Sequence, residues 1–342
     1  MSRINVLSID GGGIRGIIPA VILSEIEQRV GRALYQVFDL IAGTSTGGII
    51  ALGIGTSANS GQPYNPADLL RMYEENGPAI FEKSFLTPLR ALFGPKYSPA
   101  ALERTLEKFF GVNDLSSALT PLLISSYDLA TQLPYFFKSH KIAQNPAFNV
   151  KVRDAARATS AAPTFFPPFR LIADRKTHAL VDGGIFVNNP AMAAYAEARN
   201  LYPDASQFLI LSVGTGDRND RITYRKAKAW GLLGWALQIT PVMMDSVSEA
   251  VDYELNAVLG SSAPHQHFRL QPTLTIASPE MDDTSPENIE NLKQQAKMFL
   301  QDNQSTMTNL CTEIAHGRGA TVPGIGLTSA AKPSAQAASK PN

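Results

Sequence analysis

Cysteine is nearly absent: the 342-residue chain carries one, Cys311. A single thiol closes no internal disulfide, which fits a reducing compartment. An excess of either charge is missing too. Lys and Arg together number 30, as do Asp and Glu, so no global field draws the chain to a nucleic-acid polymer. Only a local basic patch stays open. No stretch supplies the roughly 20 apolar residues of a membrane span. The most apolar window, AWGLLGWALQITPVMM (229–244), is shorter and holds a proline. The N-terminal MSRINVLSIDGGG has neither a long apolar core nor a small-residue cleavage site, so no signal peptide is expected. A soluble, cytoplasmic protein is the expectation. Histidine is also scarce, with five in the chain.

What is present is an early alternation of strand and helix patterns. INVLSI (4–9) reads as a strand, residues 11–16 as a tight turn, and IIPAVILSEIEQRV (17–30) as a helix. In that helix Ile18, Ile22, Ile26 and Val30 recur every four residues, while Glu25 and Arg29 fall on another face. VFDLIA (37–42) reads as a second strand, and TGGIIALGIG opens another helix. Such a βαβ unit implies a parallel sheet in an α/β fold. Further strands are expected at 121–129, 178–182 and 208–214. Residues 56–98, rich in Pro, Gly and aromatics, read as an irregular insertion. An amphipathic helix is expected over 285–315, opening at SPEN with Pro286 in its first turn. From Gly317 the composition falls to small and polar residues. The expected organisation is one domain, 1–316, followed by a flexible tail, 317–342.

Two glycine loops carry the chemistry. In FDLIAGTSTGGIIALG (38–53), Ser45 stands in a Gly-x-Ser-x-Gly frame between an apolar strand and an apolar helix. A nucleophile elbow needs small residues at Gly43 and Gly47, because the serine sits on a sharp strand-to-helix turn. The other loop, DGGGIRG (10–16), has two readings. Gly11, Gly13 and Gly16 satisfy G-x-G-x-x-G, and Asp39 follows about 20 residues on, where a dinucleotide fold places its ribose acid. Asp39, however, lies inside VFDLIA, and a serine turn follows it. The alternative is an oxyanion hole, in which the N–H groups of Gly12 and Gly13 meet a substrate carbonyl with no side chain in the way. Arg15 either reinforces that field, binds a lipid phosphate, or holds the loop as a surface arginine. Neighbouring parallel strands lie about 4.8 Å apart, so both loops would face one crevice.

A serine nucleophile needs a base. His140, His178, His265, His267 and His316 follow no clear parallel strand, where a triad histidine arrives, and read as surface or packing residues. His265 and His267 form a His-x-His pair without acidic or sulfur partners around it, so no metal is expected. ALVDGGIFVNNP (179–190) delivers Asp182 from a short strand onto two glycines. Alone this is a turn; beside Ser45 it is a carboxylate in position to act. Aspartate, with an ordinary pKa of about 3.9, is a poor base toward a hydroxyl unless burial raises it.

These residues resemble the patatin-like acyl hydrolase family. The likeness rests on DGGGIRG, GTSTGG and DGG in that order, with ISSYDLAT (124–131), ARATSAAPTFFPP (156–168), SVGTG (212–216) and EMDDTSPENIENL (280–292). It runs from about residue 4 to about 315. The resemblance implies a three-layer α/β/α fold with a mainly parallel central sheet, a Ser–Asp dyad without histidine, and neither metal nor cofactor. Carried over residue by residue, it implies Ser45 as nucleophile, Asp182 as base, and Gly11, Gly12, Gly13 and Arg15 as the oxyanion loop. Asn188, Asn189 and Pro190 match a bacterial variant with no role attached.

The expected activity is therefore hydrolysis of fatty-acyl esters in membrane glycerophospholipids, of phospholipase A or lysophospholipase type, through an acyl-serine. An acyltransferase is a rival that normally uses a histidine. Some bacterial relatives are anti-phage effectors, so gating by a cyclic nucleotide activator stays open as an alternative. The membrane phospholipid is the expected partner, met by transient surface contact. Residues 77–97 and 221–235 are candidates for that contact, since each mixes basic residues with aromatics and leucines; either also reads as a helix with its apolar face turned inward. Oligomeric state has no signal in the sequence.

Overall fold

A computed structural model describes residues 3–58, 61–82, 94–219, 222–259 and 266–316. Its strands are β1 (Arg3–Ile9), β2 (Leu40–Gly43), β3 (Leu122–Asp128), β4 (Leu133–Lys138), β5 (Phe169–Ala173), β6 (Lys176–Asp182), β7 (Gln207–Val213) and β8 (Gln266–Leu270). One sheet joins them in the order β5-β6-β3-β2-β1-β7-β8, with β4 also pairing β3. The pairs β1–β2, β1–β7, β2–β3 and β7–β8 are parallel. β4 and β6 run against β3, and β5 runs against β6.

Side-chain alternation along the strands builds two cores. Ile4, Val6, Leu40, Ala42, Phe208 and Ile210 pack against the helices Ala191–Leu201 and Leu232–Leu259. Their sequence neighbours Leu7, Ile9, Ile41, Leu209 and Leu211 belong to the opposite core, with the helices Ile17–Val30, Thr46–Gly55 and Pro286–Asp302. A strand covered on both faces reads as a continuous apolar run, as β7 does from Phe208 to Leu211. The result is the three-layer α/β/α architecture with a mainly parallel sheet. No helix among the described residues is long and apolar enough to cross a membrane.

The register of β3 decides where the site forms. β4 occupies one edge of β3 from Leu123 to Asp128. β2, ending with Gly43 opposite Ile124, and β6, ending with Asp182 opposite Ser126, must therefore share the other edge. They run toward each other and leave one β3 residue, Ser125, between their ends. Asp182 stands at the end of a strand, as expected; that strand is antiparallel to β3 and so arrives from the opposite direction to β2.

Three boundaries differ from the sequence reading. The second strand begins at Leu40, because residues 34–37 close a helical turn in which the Phe38 N–H donates to the Leu34 carbonyl at 3.0 Å. The C-terminal helix breaks in two, Pro286–Asp302 and Gln304–His316. The supposed irregular insertion contains a 15-residue helix, Pro66–Ile80. Asn65 Oδ1 accepts the Asp68 N–H at 2.8 Å and Asp68 Oδ2 accepts the Asn65 N–H at 3.3 Å, a capping box with Pro66 at the first helical position. Residues 317–342 lie outside the described residues. Replacing Asn65 by Ala removes the acceptor for the Asp68 N–H; a loss of about 1 kcal/mol of stability is expected, read as a lower urea midpoint at unchanged slope.

Candidate active site

Ser45 sits between β2 and helix Thr46–Gly55 with φ 54° and ψ −124°. For a residue with a Cβ this is a costly conformation that its surroundings must impose. The Ser45 N–H donates to Thr159 Oγ1 at 2.9 Å, and the Thr44 N–H to the Ile9 carbonyl at 3.2 Å. Thr44 Oγ1 lies 2.7 Å from both Ser125 Oγ and the Val187 carbonyl. A Cβ on Gly43 would overlap the Gly47 carbonyl, and one on Gly47 would overlap the carbonyls of Ile9 and Asp10. Both glycines are therefore required by the turn. The hydroxyl that results stands at a helix N-terminus, where the dipole favours developing negative charge.

Asp182 is 2% exposed. Its Oδ1 accepts the Gly184 N–H at 2.8 Å, while Oδ2 is buried without a regular hydrogen bond. Burial pushes the carboxyl up to about 7; the neighbouring Ser45 hydroxyl and the Gly184 N–H offset part of that rise. Gly183 lies so close to Ser125 that a Cβ there would overlap its hydroxyl, which fixes the turn after the aspartate.

The glycine loop approaches from β1. A Cβ on Gly11 would stand 3.2 Å from that of Ser45. The Gly11 N–H is already given to the Asn188 carbonyl at 3.1 Å, and the Ile14 N–H to that of Met281 at 2.9 Å. The N–H groups of Gly12 and Gly13 have no such partner among the described residues. Gly13 takes φ +60°, open to glycine at little cost. Two side chains orient these peptides. Thr215 Oγ1 donates to the Gly11 carbonyl at 2.9 Å, and in a trans peptide this turns the Gly12 N–H the opposite way. The Arg15 N–H at 3.2 Å and its Nε at 3.4 Å hold the Gly12 carbonyl, which does the same for the Gly13 N–H. Arg15 Nη1 also donates to the Gly216 carbonyl at 3.2 Å. Arg15 thus holds the loop, but as a buried side chain rather than a surface one.

Ser45 and Asp182 open onto an apolar cleft. Its walls include Ile49, Tyr73, Ile80, Phe81, Leu102, Phe165, Phe166 and Met244. A long hydrocarbon chain suits such a cleft.

Asn188, which the sequence left without a role, bridges loop and cleft. Its Nδ2 donates to Ser248 Oγ at 3.0 Å. Ser248 spends its own proton on the Met244 carbonyl, also at 3.0 Å, so it must accept from Asn188 and thereby fixes the amide's orientation. Asn188 Oδ1 is left buried and without a donor, and like Asp182 Oδ1 it stands within 3.3 Å of where a Gly184 Cβ would be.

The described histidine side chains stand apart from this cleft. His140 Nε2 meets Glu197 at 2.7 Å, His178 Nδ1 meets Asp128 at 2.8 Å, and His267 Nδ1 meets Asn256 at 3.1 Å. His265 lies outside the described residues. Among the described residues no cluster is set to hold a metal ion. The ribose role weighed for Asp39 fails on position: it precedes β2 at the opposite end from the glycine loop, and its Oδ2 accepts the Asn5 N–H at 2.9 Å. Thr159, Asn188 and Thr215 lie within motifs that carried the resemblance, yet their partners lie far away in sequence.

The family profile of patatin-like phospholipases matches residues 7–195. Patatin-15 of Solanum tuberosum is 34% identical over 327 aligned residues, covering 87% of this chain and 83% of that protein. Patatin-2-Kuras 1 of the same plant is 35% identical, with 87% and 86% covered. Human GIVD cytosolic phospholipase A2 aligns in structure over 92% of this chain and 60% of that one, at 12% identity and a TM-score of 0.45. The chain belongs to the patatin-like phospholipase family. It is a lipid acyl hydrolase, an enzyme that cleaves carboxylic esters.

The buried carboxylate has a consequence for stability. Unfolded, Asp182 titrates near its ordinary 3.8; folded, near 7. Between those values the folded chain keeps a proton that the unfolded chain releases, so this group costs stability progressively as pH rises from about 4 to 7. Asp182→Asn removes that cost while keeping an acceptor for the Gly184 N–H. Its melting temperature should exceed the parent's at pH 8 and approach it at pH 4; an equal difference at both would refute the assignment.

Proposed function

We propose that this cleft hydrolyses fatty-acyl esters of membrane glycerophospholipids through an acyl-serine on a Ser45–Asp182 dyad. The observation that carries the reading is the buried Asp182 carboxylate, raised to about 7, beside Ser45 at the floor of an apolar cavity. Asp182 Oδ2 accepts the Ser45 proton as Oγ attacks the ester carbonyl. The resulting oxyanion is met by the N–H groups of Gly12 and Gly13, with Thr215 and Arg15 as positioning residues. When the C–O bond breaks, Asp182 returns the proton to the departing alcohol, and the acyl group stays on Ser45. A water molecule then donates one proton to Asp182 Oδ2 and a hydrogen bond to Asn188 Oδ1 while its oxygen attacks the acyl carbon. Collapse frees the fatty acid and restores the Ser45 hydroxyl.

The alternative, gating by a cyclic nucleotide, gains no support from the neighbouring pocket. Among the described residues that pocket sets Asp217, Asp245 and Glu249 against one lining cation, Arg218, the wrong sign for a phosphodiester.

Ser45→Ala and Asp182→Asn should each lower turnover on a phospholipid by on the order of 10³-fold or more while staying folded. The parent's kcat should fall tenfold per pH unit below about 7, where Asp182 takes up its proton. Full activity in either variant, or a fluorophosphonate that labels a residue other than Ser45, sinks the dyad. Thr215→Val keeps the shape against Gly12 but releases the Gly11 carbonyl. Its kcat should drop on the order of tenfold at unchanged KM, less than the loss from deleting an oxyanion donor outright.

A further inference from the structure

A hydrolase of membrane lipids needs a surface that meets the bilayer beside its cleft. Of the two segments considered for this, 77–97 lies largely outside the described residues. The other continues well past residue 235. Residues 222–244, ITYRKAKAWGLLGWALQITPVMM, contain Arg225, Lys226 and Lys228 and not one Asp or Glu. All three cations are exposed, and none has a carboxylate partner among the described residues. The chain's only two tryptophans, Trp230 and Trp235, both fall here, edge to face with ring centroids 5.1 Å apart.

Five large apolar side chains of this stretch are exposed. Tyr224 is 80% exposed, and Ile222, Trp235, Ile239 and Met243 are each exposed to at least 40%. Trp235, Ile239 and Met243 recur every four residues and form one stripe of the helix Leu232–Leu259. Single exposed apolar residues are ordinary; a stripe flanked by cations without a carboxylate partner among the described residues is not. On the same two turns, Thr240 and Met244 line the acyl cavity. The helix therefore has solvent on one side and the substrate cavity on the other.

We propose that residues 222–243 are the docking surface for an anionic lipid bilayer, with the Trp235, Ile239 and Met243 stripe seated at the acyl–headgroup boundary. This rests on the hydrolase reading. A lipid surface fits better than a protein because three chemistries coincide: tryptophans, which favour that boundary, an apolar helix stripe, and cations with no acidic partner. A lipid drawn from the bilayer would pass Thr240 and Met244 to reach Ser45 without its chains crossing water. Asp245 opens the acidic part of the helix and faces the separate pocket with Asp217 and Arg218.

The test uses the full chain carrying Ser45→Ala, so that vesicles stay intact. It is co-sedimented with vesicles of phosphatidylcholine alone or with added phosphatidylglycerol, while tryptophan emission is followed. Preference for the anionic vesicles, weakened by salt, and a blue shift on binding are expected. Arg225→Gln, Lys226→Gln and Lys228→Gln together should lower binding to anionic vesicles on the order of 100-fold at low salt. Trp235→Ser with Ile239→Ser should lower binding to both vesicle types. Unchanged binding in either variant, or tryptophan emission that does not move, overturns the proposal. So does a dimer that Trp235→Ser with Ile239→Ser splits apart in the absence of vesicle binding, which would assign this face to a second copy. Hydrolysis of a water-soluble short-chain ester by the Ser45-containing chain reads the cleft separately. If that is absent, the hydrolase reading fails while the docking result stands on its own.

Discussion

The structure turns on an unpaired carboxylate held out of water beside a strained serine. An aspartate in solution is nearly always ionised near neutral pH and has little appetite for a hydroxyl proton. Burying Asp182 without a cationic partner raises its pKa to about 7. The burial cost is accepted by a scaffold that leaves the side chain no alternative. β6 ends at Asp182 because Gly183 presses on Ser125, and Gly184 returns an N–H to Oδ1. On the same edge of β3, β2 ends at Gly43 and throws Ser45 into a left-handed turn. Two strands running toward each other thus bring together Ser45 and Asp182, the proposed nucleophile and base, from far apart in sequence.

The loop opposite obeys the same logic of fixed groups. Backbone N–H donors stabilise an oxyanion only when they need not reorient as it forms. Thr215 and Arg15 fix the peptides on either side of Gly12, and Asn188 ties up the Gly11 N–H that would otherwise compete. Asn188 is oriented in turn by Ser248, whose hydroxyl is spent on the Met244 carbonyl. Met244 is also a wall of the cavity and belongs to the helix that carries the exposed tryptophan stripe. Any shift of that helix would reach the Asn188 amide through two hydrogen bonds.

How much of this was legible in the sequence follows from how local each signal is. The elbow and the glycine loop were readable because Gly43, Gly47 and Gly13 answer constraints set within a few residues. Asp182 was readable only beside Ser45, since Asp-Gly-Gly alone is a turn, and its antiparallel arrival depends on pairing to β3, which no local pattern encodes. Thr159 and Thr215 were invisible as partners for the same reason. The helix Pro66–Ile80 was hidden by its own composition, although Asn65, Pro66 and Asp68 spell out a capping box. Pro241 lies inside the helix Leu232–Leu259 without ending it. Proline is a penalty that tertiary packing can outweigh, not a veto.

In the proposed dyad, dispensing with histidine has consequences beyond Ser45 and Asp182. An imidazole titrates near neutrality even in contact with water, whereas a carboxylate titrates there only while it stays dry. If Asp182 is the base, as proposed, the walls around it have to be apolar, and the same walls suit an acyl chain. Water must nevertheless enter once per turnover to release the fatty acid. The orphaned acceptors Asp182 Oδ2 and Asn188 Oδ1 give a single water somewhere to bind without wetting the cavity at large. Substrate fit, base strength and access for one water are thus three results of the same desolvated volume.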